Sequence, residues 1–201
     1  MGDKSTLNPK RIPYGVADYR RIRRGDMYYV DKTAYIPLIE AAPFYLFFIR
    51  PRRFGKTLWL SVLECYYDVN QADDFPFLFG DTYIGRHPTA EHNSYLVLSF
   101  NFSLVNPDAA EVRQSFEGYT RAVLDNFLRR YERFFTAEER ERIGAAPNTE
   151  RCLQLLFESA AAHDLKVYLL IDEYDNFANT LLTAAGREAY HDLTHGGGFF
   201  R

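Results

Sequence analysis

The stretch Phe44-Tyr-Leu-Phe-Phe-Ile-Arg-Pro-Arg-Arg-Phe-Gly-Lys-Thr57 reads as a buried strand, a tight glycine turn and the opening of a helix that carries Lys56 and Thr57. In the pattern G-x-x-x-x-G-K-[ST], backbone N–H groups wrap phosphates, the lysine reaches the terminal oxygens and the last hydroxyl takes Mg²⁺. The candidate phosphate-binding residues are therefore Arg50, Pro51, Arg52, Arg53, Phe54, Gly55, Lys56 and Thr57, with Leu58 following them into the helix. Arg50 stands where the first glycine of the pattern should be, and Pro51 has no N–H to give, so the early part of the loop departs from a standard wrap. Gly55-Lys56-Thr57 is the strong half, where a helix N-terminus adds its positive dipole end to exposed amides.

A phosphate loop needs an acidic partner at the end of another buried strand. Lys166-Val-Tyr-Leu-Leu-Ile-Asp-Glu-Tyr-Asp175 supplies one: an apolar run from Val167 to Ile171, then Asp172 and Glu173 where the strand should end. In open parallel sheets, ligands sit outside the carboxyl ends of the strands, so Asp172 and the Lys56 loop are expected on one edge. Asp175 is a further carboxylate behind them.

The 201 residues are 47% hydrophobic and 16% aromatic, enough for a core of ordinary domain size. With 24 basic and 27 acidic residues the net charge is −3, so the chain as a whole offers no general attraction to nucleic acid or to an anionic membrane. Arg20, Arg21, Arg23 and Arg24 form a local basic cluster that reads as a nucleic-acid contact or, more simply, as solvated charge on a turn. Cys65 and Cys152 make no C-x-x-C pair, and no apolar run is long enough to span a bilayer, which together favour a cytoplasmic setting with no membrane partner. Cys65 falls in a helix expected to be buried and reads as an apolar filler. His191 and His195 share a helical face at i, i+4, but with no third ligand they read as a surface pair.

In chain order, residues 18–30 read as two short extended pieces joined by a turn at Gly25-Asp26, and Asp31-Lys-Thr33 caps a helix that Pro43 closes. The apolar Leu58 to Tyr67 reads as a central helix, and residues 68–92 as irregular chain anchored by aromatics. Ser94 to Asn101 is a second strand, and residues 108–134 repeat apolar positions at spacings of three and four, which predicts a long amphipathic helix. Thr136-Ala-Glu-Glu139 is a capping box, and Pro147-Asn-Thr149 opens a helix running to Ala160. Beyond the Asp172 strand, residues 176–182 and 187–194 look helical. Strand and helix alternate, predicting an α/β fold whose doubly wound, mainly parallel sheet has helices on both faces.

Only one strand lies between the glycine-loop strand and the Asp172 strand, an order that resembles the additional-strand (ASCE, AAA-like) class of P-loop NTPases, in which a Glu after the strand-end Asp activates water. Glu173 holds that place. The combination of Tyr29-Val-Asp-Lys-Thr33, Arg50-Pro-Arg-Arg-Phe-Gly-Lys-Thr57 and Leu170-Ile-Asp-Glu-Tyr-Asp175 resembles the bacterial predicted AAA-like ATPases that often carry a C-terminal nuclease-like domain. Arg in place of the first glycine looks like that family's usual form. The resemblance implies ATP and Mg²⁺ as cofactors, with Lys56 on the phosphates, Thr57 and Asp172 on Mg²⁺ and Glu173 as base. It sets Tyr29 and Asp31, in the Tyr29 to Thr33 motif, beside the adenine. It further implies an N-terminal segment over 1–43, an ATPase core over 44–201 that stops before the sensor strand, and a homo-oligomer or an adjoining nuclease-like domain as partner. The absence of an Asn-Lys-x-Asp run favours ATP over GTP. The competing expectation is a nucleotide-gated regulatory module that binds ATP with little turnover.

Overall fold

The computed structural model describes residues 9–42, 45–51, 53–106 and 111–174 of the chain. It is an α/β protein whose described residues fall into two compact units, Met1–Ser94 and Tyr95–Arg201. The expected helices at 176–182 and 187–194, together with Arg52, Asp175, His191 and His195, lie outside the described residues.

The first unit is helical. Helix α1 (Tyr19–Arg24) begins at Asp18, whose carboxylate accepts the Arg21 N–H, so the piece before the Gly25 turn is a capped helix and not the extended piece its sequence suggested. A single 3-10 turn (Thr33–Tyr35) leads into α2 (Ile36–Glu40), with Pro37 in the first turn where its missing N–H costs nothing. Helix α3 (Lys56–Tyr67) buries Trp59, Val62, Leu63, Cys65, Tyr66 and Tyr67. The region expected to be irregular contains two short helices, α4 (Phe75–Phe79) and α5 (Tyr83–Arg86). Proline in the first turn of α4 and a Thr82 cap on α5 stop and restart the chain at short intervals, which hides both helices from a periodicity search. Phe79 is packing, meeting Tyr19 at 5.1 Å and Tyr66 at 5.7 Å between ring centroids, whereas Phe77 and Tyr83 are exposed.

The second unit holds the sheet. Strand β1 (Tyr95–Asn101) is followed by α6 (Val112–Arg130), α7 (Ala137–Gly144) and α8 (Thr149–Ala162), and then by β2 (Lys166–Asp172), which runs parallel to β1 with Asn101 opposite Asp172. Parallel strands need a long crossover, and the three helices provide it. Helix α6 packs on β1 and α8, and α8 on β2. The Arg121 guanidinium donates to the carbonyls of Gly144 (2.9 Å) and Ala146 (2.7 Å), closing the α7 to α8 corner against α6.

The expected first strand is the main correction. The sheet of the described residues has two strands, and residues 45–50 belong to neither. They take no regular secondary structure, with Phe47 72% and Ile49 82% exposed. An apolar run supplies β-propensity, but a strand also needs a neighbour for its ladder and a layer to cover its faces.

Candidate functional site

The glycine loop leads into α3 through two left-handed residues, Arg53 (φ 67°) and Gly55 (φ 77°, ψ 26°). The Phe54 N–H closes a turn onto the Pro51 carbonyl at 3.4 Å, and the Gly55 carbonyl accepts the Trp59 N–H at 2.9 Å, the first bond of the helix. Glycine takes the left-handed conformation at Gly55 without the penalty that a Cβ brings. The space there is open, since a Cβ would meet no atom within 4 Å. No side chain caps this helix and no acidic residue occupies its first turn, where Lys56 is half-buried and Thr57 exposed. Leu58 is half-buried, and Arg50, Pro51, Arg53 and Phe54 are exposed, Arg50 lying over the Phe48 ring at 5.6 Å.

Helix α3 is held from one side by α1. The Tyr19 N–H donates to Ser61 Oγ at 2.9 Å, Arg20 pairs with Glu64 at 3.2 Å, and the Arg20 Nε contacts Cys65 Sγ at 3.4 Å. Ser61 lies one helical turn beyond Thr57, so these bonds fix the axis that aims the loop. Arg23 pairs with Asp81, Arg24 with Asp74 at 3.2 Å, and the Tyr19 hydroxyl donates to the Leu78 carbonyl at 2.7 Å. Three of the four clustered arginines thus have acidic partners within their own unit, which removes most of the charge that a nucleic-acid contact would use. Burial pushes the Cys65 thiol up to about 11, with Arg20 pulling the other way, so the thiol stays protonated near neutrality.

The Tyr29 to Thr33 motif does structural work on α5. Asp31 accepts the Tyr83 N–H (2.7 Å) and the Thr33 N–H (2.8 Å), buried Thr33 Oγ1 accepts the Ile84 N–H (3.0 Å), and Thr82 Oγ1 accepts the Gly85 N–H (3.2 Å). All three leading amides of α5 are therefore satisfied by side chains, two of them from the motif, whereas α3 has no such cap. Tyr29 is half-buried edge-on to Tyr19 at 5.0 Å, and burial with the nearby Asp31 charge raises its hydroxyl far above the usual tyrosine value. The spacing of Asp31 and Thr33 was visible in the sequence, but their partners lie some fifty positions away.

In the second unit Asp172 closes β2 with 8% of its surface exposed, and its Oδ1 accepts the N–H of Glu173 at 3.0 Å. Glu173 is half-buried and left-handed, φ 52°. The expectation of an acid at the strand end holds, but the backbone turns at Glu173 immediately and does not continue extended. Because the Asp172 carboxylate binds the next amide, it rewards a turn over one more residue of strand. Asn101 was legible as the end of a strand but not as the residue across the ladder from Asp172, and Tyr119, whose hydroxyl accepts the Asn101 N–H at 2.6 Å, carried no signal of its own.

The model of the family described as predicted AAA-ATPase matches residues 13–201. The chain belongs to that family. This AAA-ATPase-like chain is also 32% identical over 171 residues to an uncharacterized protein in the vnfD 5′ region of Azotobacter chroococcum mcd 1, an alignment covering 84% of this chain and 30% of that protein. The chain thus spans about a third of the length of that curated relative. No solved structure matches it. Among the described residues, no helix is long and apolar enough to cross a membrane.

The residues fit the nucleotide and the ion that such a family implies. The left-handed Gly55 and the uncapped α3 terminus leave donors and space for phosphate oxygens. No group of three or more His, Cys, Asp or Glu side chains able to hold a metal occurs among the described residues. Mg²⁺ keeps waters and shares its ligands with substrate phosphates, so it needs no such cluster of protein side chains.

Proposed function

We propose that this AAA-ATPase-like chain binds ATP with Mg²⁺ on a P-loop, doubly wound core, and that it hydrolyses the nucleotide. The observation that carries the proposal is the uncapped α3 terminus behind left-handed Gly55, with Lys56 and Thr57 in its first turn, in a chain of this family. Lys56 and the leading amides of α3 would bind the β and γ phosphate oxygens, and Thr57 and Asp172 would hold Mg²⁺. Glu173 orients the attacking water and accepts its proton. Mg²⁺ supplies charge neutralisation at the transferring phosphoryl group. Both cysteines are free, which suits a reducing cytoplasm.

A second reading, ATP binding with little turnover, is favoured by Glu173 itself. Its left-handed backbone and its amide bond to Asp172 put the proposed base in a turn held in a sparsely populated conformation, at the place where a base would have to act. Two measurements divide the readings. ATP-Mg²⁺ at about 100 times its Kd should add about 2.7 kcal/mol of stability, and Lys56→Ala should abolish the gain. Equal melting temperatures with and without nucleotide reject both readings. Binding without measurable phosphate release supports the second, while release that falls by roughly 10²-fold in Glu173→Gln supports the first.

A further inference from the structure

We propose that Tyr119 is a positioning residue for the metal-side carboxylate Asp172, an inference that rests on the nucleotide reading above. Helix α6 sends two tyrosine hydroxyls to β1: Tyr131 accepts the Val97 N–H at 2.9 Å, and Tyr119 accepts the Asn101 N–H at 2.6 Å. Both hydroxyls occupy amides that would otherwise stand open, as unpaired strand amides do. Their register differs. Val97 lies opposite Tyr168 in the middle of β2, whereas Asn101 lies opposite Asp172 at its end.

The end of the ladder is where a strand frays, and here several bonds prevent it. Asn101 Oδ1 accepts the N–H of Ser103 at 3.0 Å and its hydroxyl at 2.7 Å, turning β1 into the 3-10 turn Phe102–Leu104, which packs on β2. Tyr119 holds the same residue by its backbone, with its ring seated against Phe100 at 6.5 Å and Phe102 at 6.3 Å. Asp172, on the partner strand, accepts the amide of the turn that follows it. Loss of the Tyr119 hydroxyl frees the Asn101 amide and loosens the neighbour against which Asp172 is registered, and it removes no atom of the phosphate loop on α3.

Tyr119→Phe and Tyr131→Phe each delete one hydroxyl from the same helix, so they separate a general loss of strand support from an effect at Asp172. The measurement is calorimetric affinity for ATP with EDTA and with saturating Mg²⁺, in wild type and both variants, read as the ratio of the two affinities. Tyr119→Phe should lower that ratio by roughly 3- to 10-fold, below the 10- to 100-fold typical of a group bonded directly to a metal ligand, and leave the EDTA affinity unchanged. Tyr131→Phe should keep the wild-type ratio. A wild-type ratio in Tyr119→Phe, or an equal loss in both variants, overturns the positioning role and leaves the nucleotide site standing. Wild-type protein that binds no ATP in either condition overturns the nucleotide reading and this inference with it.

Discussion

Replacing Thr33 with valine removes one hydroxyl and nearly conserves volume, which makes it a clean probe of the clamp on α5. Thr33 is fully buried, and its Oγ1 accepts the N–H of Ile84, also fully buried, at 3.0 Å. The substitution leaves that amide without its acceptor in a place closed to water, a cost of about 1 to 3 kcal/mol. The added methyl returns part of this through apolar burial, at most about 0.8 kcal/mol. The net loss is then about 1.5 kcal/mol, or about 3 to 6 °C in melting temperature for a chain of this size. The Ile84 amide should exchange about tenfold faster with solvent, since about 1.4 kcal/mol corresponds to a factor of ten. Asp31→Ala should cost less, because the Tyr83 amide that it caps lies at the surface, where water can substitute. Calorimetry and native-state hydrogen exchange without nucleotide test both. A Thr33→Val protein that melts with wild type and protects Ile84 equally, yet loses affinity for ATP, would refute the structural assignment and make the motif a ligand contact.

Gly55→Ala should destabilise the free protein by about 1 kcal/mol, because alanine at φ 77° is strained although its Cβ meets nothing, and thermal denaturation measures this directly. The Glu139 carboxyl is held below the ordinary glutamate range by the Thr136 N–H of its capping box and then by His163, whose Nε2 lies 3.0 Å from it. A depressed folded-state value means that this stability is present above the ordinary glutamate value of 4.5 and is lost as pH falls through the lower folded value. Glu139→Ala should therefore cost about 0.5 kcal/mol at pH 7 and nothing in strong acid, and a pH series of urea melts in which the cost stays constant contradicts it. Cys65 should resist a thiol reagent in the native protein at pH 7 and react on denaturation, since burial raises its thiol to about 11. Rapid native labelling at Cys65 would show that α1 opens from α3.

The sequence alone determined what local chemistry determines. Gly55-Lys56-Thr57 opens a helix because glycine alone takes φ 77° freely, and Asp172 ends a strand because the apolar run stops there. The capping box at Thr136 and the amphipathic period of α6 were legible for the same reason, since both are set within a few residues of each other. What only the tertiary structure decided depends on partners far along the chain. The apolar Tyr45 to Ile49 has the composition of a strand but no place in the ladder of β1 and β2, and no residue within it could have shown that. Asp31 and Thr33 became caps for α5 only when folding brought residues 83 and 84 to them, as Arg23 and Arg24 found Asp81 and Asp74. The left-handed turn at Glu173 was hidden for a subtler reason. A carboxylate one position back can bond the next amide or leave the strand to run on, and the choice is made where the strand loses its neighbour: β1 ends at Asn101, so β2 ends at Asp172.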